Sequence, residues 1–405
     1  MIDLEIPRRL HALREQARLV ADNVLRPISR KYDTLEHTYP KELDFLAALL
    51  DGIDDGGGGA SAKKLSRDKD QPGDKDEPGD KDEPGEKRTR NGANLAAVLG
   101  MIELARGDVG LALTIPRQGL GNAALAAVGT AEQKAAFGDH WIAMAITEPG
   151  AGSDSAAIRA TARLEGDEWV LGGEKIFVTC GERASAVVVW ASLDLSLGRA
   201  AIKAFLVPKG TPGMTVVRLD HKLGIRASDT ATIVLDGCRI PKANILGSAD
   251  IDTKKAFAGV MKTFDNTRPV VAAMALGVAS AALERTRAIL RESGVTSEAT
   301  SAELERLEAE LEAARLLTLK AAWMADNGIP NSTEASMAKA KAARVGNELT
   351  LRCVELVGPR AYDEGELLEK WARDSKILDL FEGTQQIQML VVARSLLGKT
   401  SAELR

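Results

Sequence analysis

The sequence predicts an α+β protein in three parts, helical at both ends with a compact antiparallel β domain between them. Three observations carry that prediction. Apolar residues recur at spacings of three and four near the start of the chain and again after Ile251. From Ala143 to about Pro241 the pattern changes to short apolar runs broken by glycine turns. The length, 405 residues, suggests two or three domains, and 45 % hydrophobic content suffices for sizeable cores. The expected boundaries are 1–140, 141–250 and 251–405.

In the first part, Leu10, Leu13, Ala17 and Val20 mark an amphipathic helix. Four glycines begin at Gly56, followed by three copies of one hexapeptide: DKDQPG at 68–73, then DKDEPG at 74–79 and 80–85. From Ser66 to Arg90 no residue is hydrophobic and 16 of 25 are charged, so nothing there offsets the entropy of ordering. The stretch from about 52 to 91 reads as a solvated, disordered insertion, either a docking element or length drift in an exposed loop. Helical pattern resumes at Ala93 and runs through LAAVLGMIELARG.

In the middle part, RATARLEGDEWVLGGEKIFVT reads as strands broken by hairpin turns at Gly166-Asp167 and Gly172-Gly173. Strand-like runs begin at Ala186, Ala201, Met214 and Ala231, with no room between them for a helix of ordinary length. In the last part, Leu304, Leu307, Leu311, Ala314, Thr318 and Ala321 keep a 3,4,3,4,3 spacing. That spacing suits a coiled-coil seam or a bundle helix, and only two to three heptads are present, which favours the bundle.

Composition excludes several classes of function. With 53 basic against 58 acidic residues the net charge is −5, the wrong sign for neutralising nucleic-acid phosphates. The longest uncharged stretch of note, Val270 to Leu283, is 14 residues, short of the roughly 20 that a membrane span needs. The opening MIDLEIPRRLHALREQ has no apolar core and does not read as a signal peptide. Cys180, Cys238 and Cys353 lie far apart, which fits a reducing cytoplasm and no disulfide framework. His11, His37, His140 and His221 are equally dispersed and argue against a histidine-based metal site.

GLGNAA at 119–124 imitates a dinucleotide fingerprint, but Pro116 and a helical stretch precede it where a strand is required, so helix packing explains its glycines better. GGGG at 56–59 lacks the G-K-[ST] of a phosphate loop. AITEPGAGSD, Ala145 to Asp154, combines small residues with hydroxyls and reads either as a ligand-approaching loop or as a surface turn. In FEGTQQIQ, Glu382 follows the apolar ILDL run; partly shielded from water it becomes a stronger base, otherwise it is a solvated helix residue.

Taken together these stretches resemble the acyl-CoA dehydrogenase family. The motifs are AITEPGAGSDSAA, EKIFVTCGE at 174–182, KLGIRASDTATIVLDGCRIP at 222–241, FDNTRPVVAA at 264–273 and EKWARDSKILDLFEGTQQIQ at 369–388. The resemblance runs from about Gly92 to Leu397 and implies an N-terminal helical domain, a middle β domain and a C-terminal four-helix bundle. It also implies bound FAD, contacted by Met144, Ile146, Thr147, Gly152, Ser153, Phe177, Val178, Thr179, Gly383, Thr384 and Gln386. Phe177 stands where the family usually has Trp, which keeps the stacking face and loses the indole N–H. Ser153, Asp265 and Arg268 would contact an acyl-CoA substrate, and Glu382 would be the catalytic base. Some members carry the base instead on the FDxTR helix, where this chain has Thr267. The implied reaction is α,β-dehydrogenation to a trans-2-enoyl-CoA, with re-oxidation by an electron-transfer flavoprotein.

Two family motifs are degraded. After the FDxTR helix, RAILRESGVTSEATSAEL replaces the R-x-x-F-G stretch that reaches a neighbouring subunit's FAD. In ELVGPRAYDEG, Pro359 stands for a glycine of Q-x-x-G-G-x-G and removes an N–H that a phosphate would need. Both losses fall on the surface that serves a partner's cofactor. They suggest a hetero-oligomer of the α2β2 type with a related dehydrogenase subunit, this chain alone holding FAD poorly. The rival readings are a non-catalytic scaffold subunit, a same-fold oxidase or monooxygenase, and an adaptor that recruits partners through residues 66–90.

Overall fold

A computed structural model describes residues 6–44, 46, 92–116, 119–251, 258–295, 297–400 and 403. The charged insertion expected at about 52–91 lies outside the described residues.

Helix α1 (Arg8–Val20) buries Leu10 against Leu95, Val98 and Leu99 of α3 (Ala93–Gly107), so the predicted stripe is a core contact. A π-helical turn at Ala21–Leu25 joins α1 to α2 (Arg26–Thr34). Pro27 accounts for it: without an N–H it cannot donate to the carbonyl four residues back. Helices α4 (Val109–Ala112), α5 (Leu120–Val128) and α6 (Ala131–Phe137) complete this part, α6 starting in a Thr130/Gln133 capping box. Gly121 is small because α5 lies on the sheet: a Cβ there would fall 2.3 Å from the Ala143 carbonyl oxygen. Helix packing thus explains GLGNAA.

Seven strands form one curled sheet: β1 (Ile142–Ala145), β2 (Thr161–Glu165), β3 (Glu168–Thr179), β4 (Ala186–Ser192), β5 (Ile202–Pro208), β6 (Met214–Leu219) and β7 (Thr230–Pro241). Their order is β1-β4-β2-β3-β7-β6, with β5 on the free edge of β4. Antiparallel ladders dominate, but the sheet is mixed, because β1 and the end of β2 both run parallel to β4. Sequential hairpins would have been wholly antiparallel; the 146–160 connection instead carries the chain over before β2 begins. The curl brings Trp169 of β3 edge-to-face with Phe205 of β5, ring centroids 5.3 Å apart.

Gly166-Asp167 is the expected two-residue turn, joining Glu165 to its partner Glu168. Gly172-Gly173 is not a turn. Strand β3 runs straight through it, with a register shift against β7 between Leu171 and Gly173. Gly173 has φ +139°, and a Cβ there would meet that of Ala160 at 2.8 Å, so the glycine marks a bulge where another backbone approaches.

The last part is a bundle of α7 (Ala258–Glu292), α8 (Glu298–Asp326), α9 (Ser332–Val357), α10 (Leu368–Leu378) and α11 (Gln385–Leu397). Leu307, Ala314, Thr318 and Ala321 are buried, with Leu304 and Leu311 half-buried against the same core, so the 3,4 spacing belongs to a bundle helix. Small residues let α7 and α9 approach: Ala272, Ala275 and Ala279 share a core with Ala338 and Ala342, and a Cβ on Gly346 would lie 3.2 Å from the Ala275 carbonyl.

A buried polar knot ties the three parts together. Lys370 donates to Asp108 at 2.7 Å and to Asp374 at 2.5 Å. Asp108 also accepts from Ser29 and caps α4 through the Leu111 N–H, and Asp374 accepts the Ile225 N–H at 2.6 Å. Ile225, a β-branched residue at φ +47°, is held there by that bond. Among the described residues no helix is long and apolar enough to cross a membrane.

Candidate functional site

The loop 146–154 leaves β1 with Met144 and Ile146 buried, Thr147 half-buried, and Gly152, Ser153 and Asp154 exposed. Glu148 and Ala151 exchange backbone hydrogen bonds of 3.1 Å, which closes the loop on itself. The buried Glu148 carboxylate accepts from the N–H groups of Arg159 (2.6 Å) and Ala160 (2.9 Å) and from the Lys175 ammonium (2.7 Å). Lys175 also donates to the Ile146 carbonyl at 3.1 Å; burial pushes its pKa down to about 8 against the pull of Glu148. Next to it, the Ile176 N–H donates to the Thr147 carbonyl at 2.9 Å. The two runs that the resemblance assigns to a flavin are therefore one hydrogen-bonded surface. Its fastener, the Glu148–Lys175 pair, was not singled out from sequence, although both residues lie inside the quoted motifs.

Beyond Lys175 the register with β7 breaks again before Val178. Phe177 takes φ +58° and stands 62 % exposed, with Val178 buried, Thr179 half-buried and Cys180 at φ +57°. Left-handed backbone at two non-glycine residues so close together is uncommon and collects at functional sites. An exposed ring on a bulge, on a run bonded to the loop that carries Thr147 and Ser153, fits a planar polar cofactor such as FAD, which would cover the ring and could accept from the hydroxyls of Thr147, Ser153 and Thr179.

The bundle contributes the other half. Glu382 is not a helix residue. It sits at φ +57° in the turn before α11, half-buried, and Gly383 follows at φ +93°. The Glu382 Oε2 accepts from the Thr267 hydroxyl at 2.6 Å. The two positions at which the family places its base are thus in contact. Gln388 Nε2 donates to the carbonyls of Glu382 and Gly383, both at 3.0 Å, and Lys339 Nζ donates to the Gly383 carbonyl at 2.8 Å. Thr384 caps α11 by accepting the Ile387 N–H, and Gln386 is exposed on its first turn. A Cβ on Gly383 would fall 2.4 Å from Gln388 Nε2, so only glycine fits.

On α7, Arg268 is buried, with Nη1 donating to Asp265 at 3.0 Å and to Ser336 at 3.3 Å. Asp265 also accepts from Ser332 at 2.9 Å. These two residues, expected to contact acyl-CoA, hydrogen-bond to side chains inside the bundle. Burial raises the pKa of Glu382, opposed by the Thr267 hydrogen bond and by the positive charges of Arg268 and Lys339. Burial likewise pushes Lys339 down to about 8, against the carboxylates of Asp379 and Glu382.

Phe264 connects the halves: it packs against the cluster containing Met144 and Ile146, and the Arg268 guanidinium lies 5.8 Å from its ring centroid. A cavity of about 540 Å³ opens beside the loop, lined by Glu148, Pro149, Gly150, Arg159 and Glu174 among others, but Glu382 is not in its wall. The dispersed histidines partly converge. His37 and His221 lie with tilted rings 5.0 Å apart, and Glu36 bonds the His221 ring at 2.8 Å, so three metal-type donors lie within 4.8 Å of one another. Glu36 is already paired there, and the Lys222 ammonium lies alongside.

Comparison with known proteins agrees with this geometry. Residues 143–238 match the family description "Acyl-CoA dehydrogenase, middle domain", and residues 257–397 match "Acyl-CoA dehydrogenase, C-terminal domain". The mitochondrial short-chain specific acyl-CoA dehydrogenase of Bos taurus is 39 % identical over 317 residues, covering 75 % of this chain and 76 % of that protein. The short-chain specific acyl-CoA dehydrogenase of Clostridium acetobutylicum is 36 % identical over 277 residues, covering 65 % and 72 %. The structure of butyryl-CoA dehydrogenase from Megasphaera elsdenii superposes with TM-score 0.82 at 29 % identity, covering 98 % of this chain and all of that one. The chain belongs to the acyl-CoA dehydrogenase family of FAD-dependent oxidoreductases.

Proposed function

We propose that this chain oxidises an acyl-CoA thioester to a trans-2-enoyl-CoA, with Glu382 removing the α-proton. The observation that carries the reading is the Glu382 carboxylate itself: half-buried, aimed by a left-handed turn, and held by Thr267. FAD, when bound, supplies the two-electron acceptor for the β-hydrogen. Met144, Ile146, Thr147, Gly152 and Ser153, Phe177 to Thr179, and Gly383, Thr384 and Gln386 are the residues that would hold it.

The α-proton of a thioester is too weakly acidic for a free carboxylate at neutral pH. A raised pKa makes Glu382 a better base, and a well-placed base contributes about 10²–10⁴-fold. Charge developing on the thioester oxygen needs a preorganised donor, worth about 3 kcal/mol. The Glu382 backbone N–H is the candidate within this chain. Because Gln388 and Lys339 hold the neighbouring carbonyls from the bundle side, the turn has little freedom to swing that N–H away. Arg268, with Asp265 and Ser336 around it, supplies a fixed positive charge near the base, and Ser153 on the exposed loop is the substrate contact from the β side.

The short-chain relatives support a short acyl group as substrate. An electron-transfer flavoprotein in the cytoplasm is the proposed electron acceptor. A related dehydrogenase subunit in an α2β2 assembly is the proposed source of the FAD contacts missing here. Pro359 lies in a tight 3₁₀ turn at Gly358–Tyr362, where Arg360 is taken up by Glu292 and Glu366. Arg287, on the degraded stretch, pairs with Glu308 of the same chain.

The test is an absorbance spectrum of the chain purified alone and co-expressed with related subunits, followed by titration with short-chain acyl-CoA. Flavin absorbance that bleaches with acyl-CoA, and fails to in Glu382→Gln, supports the reading. Protein that is yellow and bleaches alone removes the α2β2 part. Bleaching that survives Glu382→Gln removes Glu382 as base, and protein colourless with every partner favours a scaffold subunit.

A further inference from the structure

We infer that Lys339 is the positioning and charge-setting residue of the Glu382 turn: from inside the bundle it holds the Gly383 carbonyl and sets the protonation of the base. This rests on the reading of Glu382 as the base, and extends it to a residue outside the assigned motifs.

Lys339 has no surface exposed, and its ammonium is the end of a side chain on α9 that reaches the turn before α11. The ammonium donates to a backbone carbonyl oxygen, not to a carboxylate. A buried lysine placed for stability ordinarily pairs directly with an acid, as Lys370 does with Asp108 and Asp374. Lys339 instead faces three charges: Asp379 just after α10, Glu382 in the turn, and Arg268 on α7. Glu382 in turn faces Lys339, Arg268 and the neutral hydroxyl of Thr267. With Asp265 beside Arg268, the group holds two cations and three acids. It is electrically neutral when Glu382 carries a proton and carries one negative charge when it does not.

Two consequences follow. The carbonyls of Glu382 and Gly383 are both tied down, by Gln388 and Lys339, and this fixes a glutamate at φ +57°, a left-handed conformation strained for any residue but glycine. The ammonium also offsets the buried negative charge of the working base, so Glu382 stays ionised at a lower pH than burial alone would allow. Removing the charge while keeping the stem separates this role from packing.

The experiment is an infrared titration of Glu382 in the whole protein, with its protonated carboxyl band assigned by loss in Glu382→Gln. It is run on wild type and Lys339→Met, alongside the pH profile of flavin reduction by acyl-CoA. In Lys339→Met the band and the acid limb of the profile should move up together by about one pH unit, a tenfold change in the equilibrium. Asp379→Asn removes the acid that supports the charge on Lys339, so it should push the lysine further down and move both upward as well, which keeps the inference testable if Lys339→Met does not fold. Rates lowered evenly at every pH with the carboxyl titration unmoved would make Lys339 a packing residue and overturn the inference. An active Glu382→Gln would instead overturn the assignment of the base, whatever Lys339 does.

Discussion

Among the described residues, the knot of Asp108, Lys370 and Asp374 and the cluster of Glu382, Lys339 and Arg268 both bring acids and a lysine together and are set to opposite ends. In the knot of Asp108, Lys370 and Asp374, every charge meets its opposite directly, with N–O distances of 2.7 and 2.5 Å; the other oxygen of each acid accepts from Leu111 or Ile225, and Ser29 shares the Asp108 oxygen that Lys370 bonds. Burial opposes the charge on Lys370, but the two carboxylates outweigh it and hold its pKa above the ordinary range. In the cluster of Glu382, Lys339 and Arg268, the base is bonded to a hydroxyl and the lysine to a carbonyl, so burial wins at both: the acid is raised and the lysine lowered to about 8. A buried cluster in which every acid reaches the cation fixes structure, although burial still raises Asp374 there. An incompletely paired one keeps a group ready to exchange a proton.

The largest effect should separate the clusters outright. Glu382→Gln should slow flavin reduction by about 10²–10⁴-fold, measured by stopped-flow absorbance. It should not destabilise the fold. A carboxyl whose folded pKa is raised contributes stability below its unfolded value near ~4.3, and that contribution is lost as pH rises through the folded value. Above its folded pKa the ionised Glu382 is therefore a cost that Gln removes, and urea unfolding at pH 7 should show equal or greater stability. Loss of several kcal/mol there would break the contrast.

Lys370→Met should do the reverse. It leaves two carboxylates buried without their cation and should cost about 3–5 kcal/mol in urea unfolding, since such groups are expensive when unpaired. Whatever protein stays folded should keep its Glu382 titration. A variant that unfolds like wild type would show that the knot is not what joins the three parts.

Thr267→Val sharpens the second cluster. It removes the hydrogen bond that favours ionised Glu382, so the acid limb of the rate profile should rise by about one pH unit, while the rate above it changes less. An unchanged limb would mean that the 2.6 Å contact does not persist in the working enzyme. The smallest effect belongs to Arg287→Ala, which breaks a solvent-facing pair with Glu308 and should cost at most about 1 kcal/mol. A larger loss there would mean that ion pairs at the surface, and not only buried clusters, hold the bundle together.

What sequence by itself determined is what local chemistry encodes. The helical stripes of α1, α3 and α8, four of the strand runs and the Gly166-Asp167 turn follow from apolar period and glycine placement, each of which acts over a few residues. The motifs located the loop at 146–153, the run at 177–179 and Glu382, because in each the residue types are constrained at fixed spacing. Tertiary structure decided the rest. Gly173 looks like a turn glycine and is a bulge because Ala160, from another segment, presses on it. Strands β1 and β2 run parallel to β4, because strand order depends on which edges meet and not on alternation within a strand. Glu382 alone could have been a solvated helix residue; burial in the folded chain raises its pKa, and Thr267, Arg268 and Lys339, brought in across 115, 114 and 43 positions of chain, pull against that rise. Period and turn chemistry are properties of a segment, whereas burial and charge environment are properties of whatever the folded chain brings against it.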